Sequence, residues 1–378
     1  MRFVKGGSVL GNRFGEFREL AIFSWEYPVS GFYWENNLNP LKSLEYGTER
    51  EIHENEYVPK PLLIENPEVM TMNRYLPLDE ESALFLKFSD IDISEEGILK
   101  FANKYGRLWA NHGYLIDIEQ VEFIPKIEVK SKEEQYKLWF PEVEERGNSF
   151  IIGEPFIYWK TEIISMRNAV RLWKWIENED IGKLSFVVNW DRDGGGFDCA
   201  LGEINDIKLF RKLPREEQRI MGFEYNIQYR FFNENVSKEV LDLTKKGDII
   251  LPAKILLNDI INTKLKNHPL HLRLLLDENN YPKQFVVPES LLGAMWYQFF
   301  QSITGEKKYK KCAVCGTWEN VNEKREDWLY HDSCGSTFRS RKKRGLMSII
   351  AGKKPVEEVA ENCGVSVSVV KQWIENKK

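Results

Sequence analysis

Apolar residues recur with a period of three to four along several long stretches of the chain, and this spacing predicts amphipathic helices. Such helices are predicted at residues 161–177, at about 289–304, and in two segments within residues 237–262. In the first of these helices the buried face is predicted to consist of Ile163, Met166, Val170, Trp173 and Ile176. A further helix is predicted directly after Ser94, because this N-cap residue precedes two glutamates and an apolar face.

Elsewhere the apolar runs are short and interrupted by Gly, Asn and Pro, which is typical of strands and turns. The first 75 residues predict short strands and loops, and residues 83–94 predict a strand and a turn. Hairpins are predicted between residues 184 and 204 and at 271–288. Together these elements predict an α+β fold, with a large mixed N-terminal body and a small C-terminal tail.

The length of 378 residues is suited to two or three domains, and the charge divides the chain in the same way. Residues 306–354 contain 13 basic and 6 acidic side chains, a net charge of +7, within a chain of net charge −5. The last 24 residues carry −1, which leaves −11 for residues 1–305. We therefore predict an α+β body at 1–305 that binds a ligand or partner, a zinc finger with a basic helix at 306–345, and a helix-turn-helix at 346–378.

Targeting signals and cysteine usage bear on the compartment. The N-terminal residues lack the apolar core of a signal peptide, and the longest apolar run, residues 290–300, is too short to span a bilayer. The five cysteines are an odd number, with three close together, which does not fit a secreted disulfide framework. We expect a cytoplasmic protein with reduced thiols and no membrane contact.

Two ligand pairs in the basic segment predict a metal site. Cys312 and Cys315 form Cys-x2-Cys, and after fifteen residues His331 and Cys334 form His-x2-Cys. Four nitrogen and sulfur ligands complete a tetrahedral zinc site and leave no position for a catalytic water, so one structural Zn²⁺ is predicted. The metal substitutes for the core that so short a segment cannot build alone.

The segment KYKKCAVCGTWENVNEKREDWLYHDSCGSTFRSRKKR resembles a zinc finger found near the C-terminus of many bacterial proteins, and is similar to the CGNR-type finger of stress-related regulators. Parts of the preceding residues 83–106 and 290–309 also resemble that bacterial group. His331 stands where the pattern has a cysteine. The resemblance implies a structural zinc and a nucleic-acid-binding or regulatory role, and it implies no known reaction.

The residues after Cys334 predict a helix that begins at the second metal-binding turn and presents positive charge. Five cations fall within six positions, which favours contact with nucleic-acid phosphates over a merely solvated surface helix, although both interpretations remain open. The predicted phosphate-binding residues are Arg339, Arg341, Lys342, Lys343 and Arg344.

Residues 355–378 resemble the helix-turn-helix of bacterial regulators and transposase-like proteins, with Pro355 at a helix start, Gly364 in the turn and Cys363 in the core. That likeness implies that one helix face enters a DNA groove. The implied groove-facing residues are Val367, Ser368, Lys371 and Gln372. A helical hairpin that packs or dimerises is the alternative, so a homodimer stays open.

Other candidate sites are weaker. The loop 191–198 is rich in Asp and Gly but lacks the Lys of a P-loop, and His112, His268 and His271 have no clustered carboxylates, so turn or surface roles are predicted. We recognise no catalytic motif in the sequence, and we lean towards a protein that is not an enzyme.

The leading hypothesis is a DNA-binding regulator, with double-stranded DNA as partner and a sensor or partner domain in the body. The alternatives are a nucleic-acid-processing enzyme with its active site in the body, and a non-enzymatic assembly module whose basic helix is covered.

Overall fold

The structure is a computed structural model. It describes residues 25–37, 40, 42–45, 48–53, 56–65, 72–78, 80–81, 83–109, 113–117, 150–190, 196–214, 217–218, 227–276, 281–322, 324 and 328–375. The chain divides into two compact units, Met1–Tyr297 and Gln298–Lys378. Residues 191–195 of the predicted loop 191–198 lie outside the described residues, as does His112, and residues 196–198 belong to a strand.

The first unit contains a six-stranded antiparallel sheet and three smaller strand assemblies. Its strands are β1 Trp25–Pro28, β2 Phe32–Glu35, β3 Lys42–Glu45, β4 Thr48–Glu51, β5 Leu62–Glu65, β6 Met72–Tyr75, β7 Gly113–Asp117, β8 Phe150–Pro155, β9 Val188–Trp190, β10 Gly196–Leu201, β11 Gln228–Asn233, β12 Leu270–Leu276 and β13 Pro282–Pro288. The large sheet has the order β2-β5-β8-β7-β3-β4. The smaller assemblies are β1-β6, β11-β10-β9 and the hairpin β12-β13. The α+β prediction is confirmed.

The helices of this unit carry much of its core. They are α1 Leu84–Ser89, α2 Glu95–Tyr105, α3 Phe156–Glu177, α4 Ile181–Val187, α5 Ile204–Phe210, α6 Glu234–Leu243, α7 Ile250–Asn267 and α8 Leu291–Ile303, the last of which contains the boundary between the units. On α3 the fully buried Trp159 lies 6.3 Å from the Phe88 ring of α1 and 6.2 Å from the Phe101 ring of α2, measured between centroids. Four of the five residues predicted for the buried face of α3 are buried, and Trp173 is half-buried. Ser165, Asn168 and Trp175 are buried as well, so α3 is enclosed on more sides than the predicted face.

Several predicted elements are confirmed. Ser94 caps α2 by accepting a hydrogen bond from the Gly97 amide. The two helices predicted at 237–262 are α6 and α7, and the hairpin predicted at 271–288 is the antiparallel pair β12-β13. α3 begins at Phe156, directly after Pro155, which is five residues earlier than predicted.

Two predicted strands are wrong. Residues 84–89, predicted as a strand, form the helix α1, in which five of the six side chains are buried. A short helix buried on nearly every side has no polar face, so its sequence lacks the helical period. Residues 184–187, predicted as part of a hairpin strand, belong to α4, and the strand of that hairpin begins only at Val188.

A buried carboxylate joins three segments of the first unit. Glu154, at the end of β8, has no exposed surface. Its Oε1 accepts a hydrogen bond from the Trp109 amide at 2.9 Å, and its Oε2 accepts from the Leu108 amide at 3.2 Å and from the Trp159 indole at 2.9 Å. Three donors satisfy both oxygens, as a buried carboxylate requires.

In its described residues, the second unit contains the end of α8, a small hairpin, a 3-10 helix and three α-helices. Its elements after α8 are β14 Tyr309–Lys311, β15 Trp318–Asn320, a 3-10 helix Asp332–Cys334, α9 Gly335–Ile350, α10 Val356–Cys363 and α11 Val367–Glu375. Gly364 turns the chain between α10 and α11 with φ +64°, a left-handed conformation that favours glycine. A Cβ at this position would lie 2.9 Å from the Ala313 carbonyl oxygen, so the turn packs closely against the loop that holds Cys312.

Candidate metal centre and nucleic-acid interface

The first ligand pair lies on the turn between β14 and β15. The Cys312 amide donates to the Thr317 carbonyl at 2.8 Å, and the Gly316 amide donates to the Cys312 carbonyl at 2.9 Å. Gly316 has φ +72°, which allows the chain to reverse directly after Cys315. These bonds close a tight turn that presents both thiols on the same side, as a metal-binding knuckle requires.

The second ligand pair lies at the start of α9. The Cys334 amide donates to the His331 carbonyl at 2.9 Å, within the 3-10 turn that runs into Gly335. The Ala313 amide donates to the Leu329 carbonyl at 2.9 Å and so ties the first ligand turn to the segment before His331. One backbone hydrogen bond therefore links the two ligand turns.

The four predicted ligands meet at one point. One ligand atom from each of Cys312, Cys315, His331 and Cys334 lies within 4.8 Å of the others. Nδ1 of His331 is 3.4 Å from the Cys315 sulfur and 4.0 Å from the Cys334 sulfur. Tetrahedral zinc, with bonds of about 2.3 Å to sulfur and about 2.05 Å to nitrogen, separates such atoms by about 3.6 Å. The cluster can therefore hold one metal ion, and its donor set fits zinc.

A carboxylate fixes the histidine on its far side. Nε2 of His331 lies 3.3 Å from Oε2 of Glu319 on β15, which leaves Nδ1 directed at the three sulfurs. A metal-binding histidine commonly donates its second N–H to a carboxylate, and this contact sets the tautomer and the ring orientation. The Trp328 ring packs edge-on against the same imidazole, with centroids 5.4 Å apart. The spacing of the ligands did not predict Glu319, because this residue lies outside both ligand pairs.

The thiols differ in their acidity. The Thr317 hydroxyl, 2.8 Å from the Cys315 sulfur, is the main cause that lowers the pKa of Cys315 to about 6. Burial would raise the pKa of Cys312, but backbone amides of the same turn, first that of Cys315, lower it. Burial and the neighbouring thiols raise the pKa of Cys334. Since the thiolate is the ligand form, the first turn is prepared for a metal, and the metal has to displace the Cys334 proton.

The five predicted phosphate-binding residues divide into two groups on α9. Arg339, Lys343 and Arg344 are exposed. Arg341 is half-buried, and its Nη1 donates to the Val314 carbonyl at 3.5 Å. Lys342 is also half-buried, with Nζ 4.5 Å from the centroid of the Trp373 ring on α11. Two of the five cations thus make contacts inside the unit.

The helix-turn-helix residues divide in a similar way. Ser368, Lys371 and Gln372 are exposed on α11. Val367 is half-buried and packs against the small core of the last two helices. That core consists of Val359, Ala360, Cys363 and Val370, which confirms the predicted core position of Cys363.

The two histidines that are weaker candidates for metal binding lie outside the Cys312 cluster. His268 is buried, and Nε2 of His271 pairs with a carboxylate oxygen of Glu289. Within the described part of the chain, the group of four around Cys312 is the one cluster of three or more metal-ligand side chains.

Comparisons with protein-family models, curated proteins and solved structures find no match. Among the helices of the described residues, none has both the length and the apolar character needed to cross a membrane. The fold and the site therefore define an α+β chain whose C-terminal unit carries a Cys3His group that can bind a metal.

Proposed function

We propose that the second unit is a nucleic-acid-binding module with one structural zinc, and that the chain is a cytoplasmic DNA-binding regulator of the CGNR-finger type. One observation carries the proposal. Three exposed cations, Arg339, Lys343 and Arg344, stand on a helix whose first residue, Gly335, directly follows the metal ligand Cys334. A bound zinc holds the start of this helix and so fixes where its charge is presented.

The exposed cations fit phosphate contact on physical grounds. Arg339 and Lys343 are four residues apart and lie on the same face of α9, with Arg344 beside them. They belong to a segment of net charge +7, in which repulsion between like charges is relieved when phosphates bind. Because Arg341 and Lys342 make contacts inside the unit, we assign the phosphate contacts to the three exposed residues.

The last two helices supply sequence preference in this proposal. Ser368, Lys371 and Gln372 are exposed on α11, the second helix of the helix-turn-helix, which is the helix that enters the major groove in proteins of this kind. The Phe338 ring of α9 contacts the Trp373 ring of α11 at 5.8 Å between centroids, so the basic helix and the groove helix keep a fixed relation. The partner we propose is therefore double-stranded DNA, and the body senses a ligand or binds a partner.

A salt titration of duplex binding tests the proposal. Each neutralised phosphate contributes about −0.9 to the slope of log affinity against log salt, so the triple variant R339A/K343A/R344A should reduce the slope by about 3 and weaken all sequences alike. The charge-matched control is K238A/K254A/K266A, which removes three exposed lysines of the first unit and should leave the slope unchanged. Binding by S368A/K371A/Q372A should instead show altered preference among sequences.

Two outcomes would count against the proposal. Absence of duplex binding at low salt by the zinc-loaded chain would favour the assembly alternative. An equal loss of slope in both triple variants would show that the chain binds through diffuse charge and not through α9.

A further inference from the structure

A cavity of about 540 Å³ lies in the first unit, between β11 and α7. Its described lining residues come mainly from β11 and α7, together with Phe210 at the end of α5. The volume falls within the range of about 300–1,000 Å³ that is typical of small-molecule sites. Nothing in the metal centre or the basic helix accounts for it.

One face of a helix forms the inner wall. Leu256, Ile260, Thr263 and Lys264 follow one another at the spacing of a single face of α7, and all four line the cavity. Leu256 and Ile260 are buried, so this wall is held in place by the core. Such a wall can enclose the apolar body of a ligand without rearrangement.

The second wall comes from β11, which is an edge strand of its sheet in the described residues, so side chains of both its faces reach the cavity. Arg230 lies on the face towards α7, and the aromatic side chains lie on the other face. Tyr229 and Phe231 are both 37% exposed, and the Phe210 ring lies 5.4 Å from the Tyr229 ring between centroids. Large aromatic side chains in partial contact with solvent at a cavity provide flat apolar surface for a ring or a branched chain. The two walls therefore favour a compact apolar group over a strongly polar ligand such as a sugar.

The charge at the cavity has one sign. Arg230 and Lys264 are the charged side chains among the described lining residues, although residues 1–305 carry a net charge of −11. Their carboxylate partners stand behind them and do not line the cavity. Nε of Arg230 donates to Asp259 at 2.8 Å, and Nζ of Lys264 donates to Glu162 at 2.6 Å and 2.7 Å.

Arg230 is the cation better placed to receive an anion. Its side chain is 49% exposed, whereas that of Lys264 is 16% exposed and engaged by both oxygens of Glu162. Asp259 and the Tyr229 carbonyl, which accepts from Nη1 at 3.1 Å, hold the guanidinium in one orientation. A guanidinium fixed in this way can bind a carboxylate or sulfonate with little loss of side-chain entropy.

We propose that this cavity binds a small amphipathic monoanion, with an aromatic or branched apolar body against α7 and the edge of β11 and its acidic head at Arg230. The inference extends beyond nucleic-acid binding, and it does not depend on it. It assigns a class of ligand to the first unit, which the sequence alone left unspecified.

A pair of matched fluorescent probes tests the proposal on the full-length zinc-loaded chain. 8-Anilinonaphthalene-1-sulfonate carries an anionic head, and N-phenyl-1-naphthylamine has the same rings without it. We expect the sulfonate to bind with a Kd about tenfold lower than the neutral probe, as one charge-assisted hydrogen bond would give. R230M should remove this difference and leave binding of the neutral probe unchanged.

Three further variants make the result specific. R230Q repeats the test with a polar side chain, in case R230M lowers stability. T263W should fill the cavity and weaken both probes by at least tenfold. D259N keeps the arginine and releases it from its carboxylate, so it should bind the sulfonate as tightly as the wild type or more tightly.

Equal affinity of the two probes for the wild type would overturn the proposal. So would an unchanged affinity ratio in both arginine variants, or full probe binding by a folded T263W chain. The last result would mean that the dyes bind elsewhere on the surface.

Discussion

The two units of the chain are stabilised by different means. The first unit fully buries large apolar side chains, among them Trp159, Phe85, Phe88 and Phe197. The core of the last two helices is built from smaller side chains such as Val359, Ala360 and Val370. Burial free energy grows with apolar area, at about 25 cal/mol per Å², so the last two helices gain less from their core than the first unit gains from its own.

Each unit also contains a polar cluster, and the comparison shows what such a cluster does. In the first unit, the three donors around Glu154 satisfy a carboxylate inside a core that is already large. In the second unit, the cluster around Cys312 and His331 lies in the segment 306–334, in whose described part Cys312 and Val321 are the buried apolar residues. Loss of the first cluster should therefore lower the stability of the first unit, whereas loss of the second should unfold the ligand turns.

The largest effect should follow removal of the metal. We expect chelation, or the substitution C312S, to unfold the ligand turns and the start of α9 while the first unit keeps its structure. Structural zinc contributes about 10–16 kcal/mol of apparent binding free energy in zinc-finger peptides, so a loss of at least about 3 kcal/mol of local stability is expected here. Hydrogen exchange of the Cys312, Ala313 and Gly316 amides, which are bonded within and between the ligand turns, reports it directly.

A second buried cysteine provides the control. C199A removes a thiol from the core of the first unit and should leave one zinc per chain in elemental analysis. If the zinc-loaded and chelated chains show the same exchange at these amides, then the ligand turns are held by their hydrogen bonds alone and the comparison between the units fails.

An intermediate effect is expected at Glu154. In E154Q only one oxygen remains, so the amide NH₂ faces at least one of the three donors, and a buried mismatch of this kind costs about 1–3 kcal/mol. Urea unfolding of the first unit at pH 5 should show this loss. E239Q is the matched control, because Glu239 is an exposed residue of α6 and its substitution should leave the stability unchanged.

The loss at Glu154 should depend on pH in a definite direction. Burial raises the pKa of Glu154 to about 7 from an ordinary value of 4.5. The folded state then holds its proton at pH values where the unfolded chain has lost it, so the contribution is complete below about pH 4.5 and is lost as the pH rises through 7. The difference in unfolding free energy between wild type and E154Q should shrink as the pH rises from 4.5 to 8, and it should close or change sign, because each pKa unit corresponds to about 1.4 kcal/mol. A gap that widens would show that the three donors outweigh burial.

The sequence predicted best those features whose parts are neighbours along the chain. The four candidate metal ligands fall into two short pairs and lie together in the structure, and the apolar residues of α3 repeat at helical spacing and form a helix. Helix α1 was predicted as a strand because burial on nearly all sides removes the period that distinguishes the two.

Features assembled from distant segments could not be predicted. The donors to Glu154 include amides 45 and 46 residues away, and the residue types around it give no sign of them. Likewise, the cavity joins β11 to α7, and the roles of Arg341 and Lys342 depend on contacts with Val314 and Trp373. Residue type and local spacing carry no information about such contacts, which are fixed only by the fold.

The smallest effect should separate two adjacent lysines of α9. K342M keeps the aliphatic stem but removes the charge over the Trp373 ring, a contact that contributes about 0.5–1 kcal/mol when partly exposed, so the second unit should lose about that much stability in urea unfolding. K343M removes an exposed charge and should leave stability unchanged. In duplex binding K343M should have the larger effect, because it lowers the salt slope by about 1, whereas K342M should leave the slope unaltered. If both variants change stability and slope equally, the division of α9 into an inner and an outer set of cations is wrong.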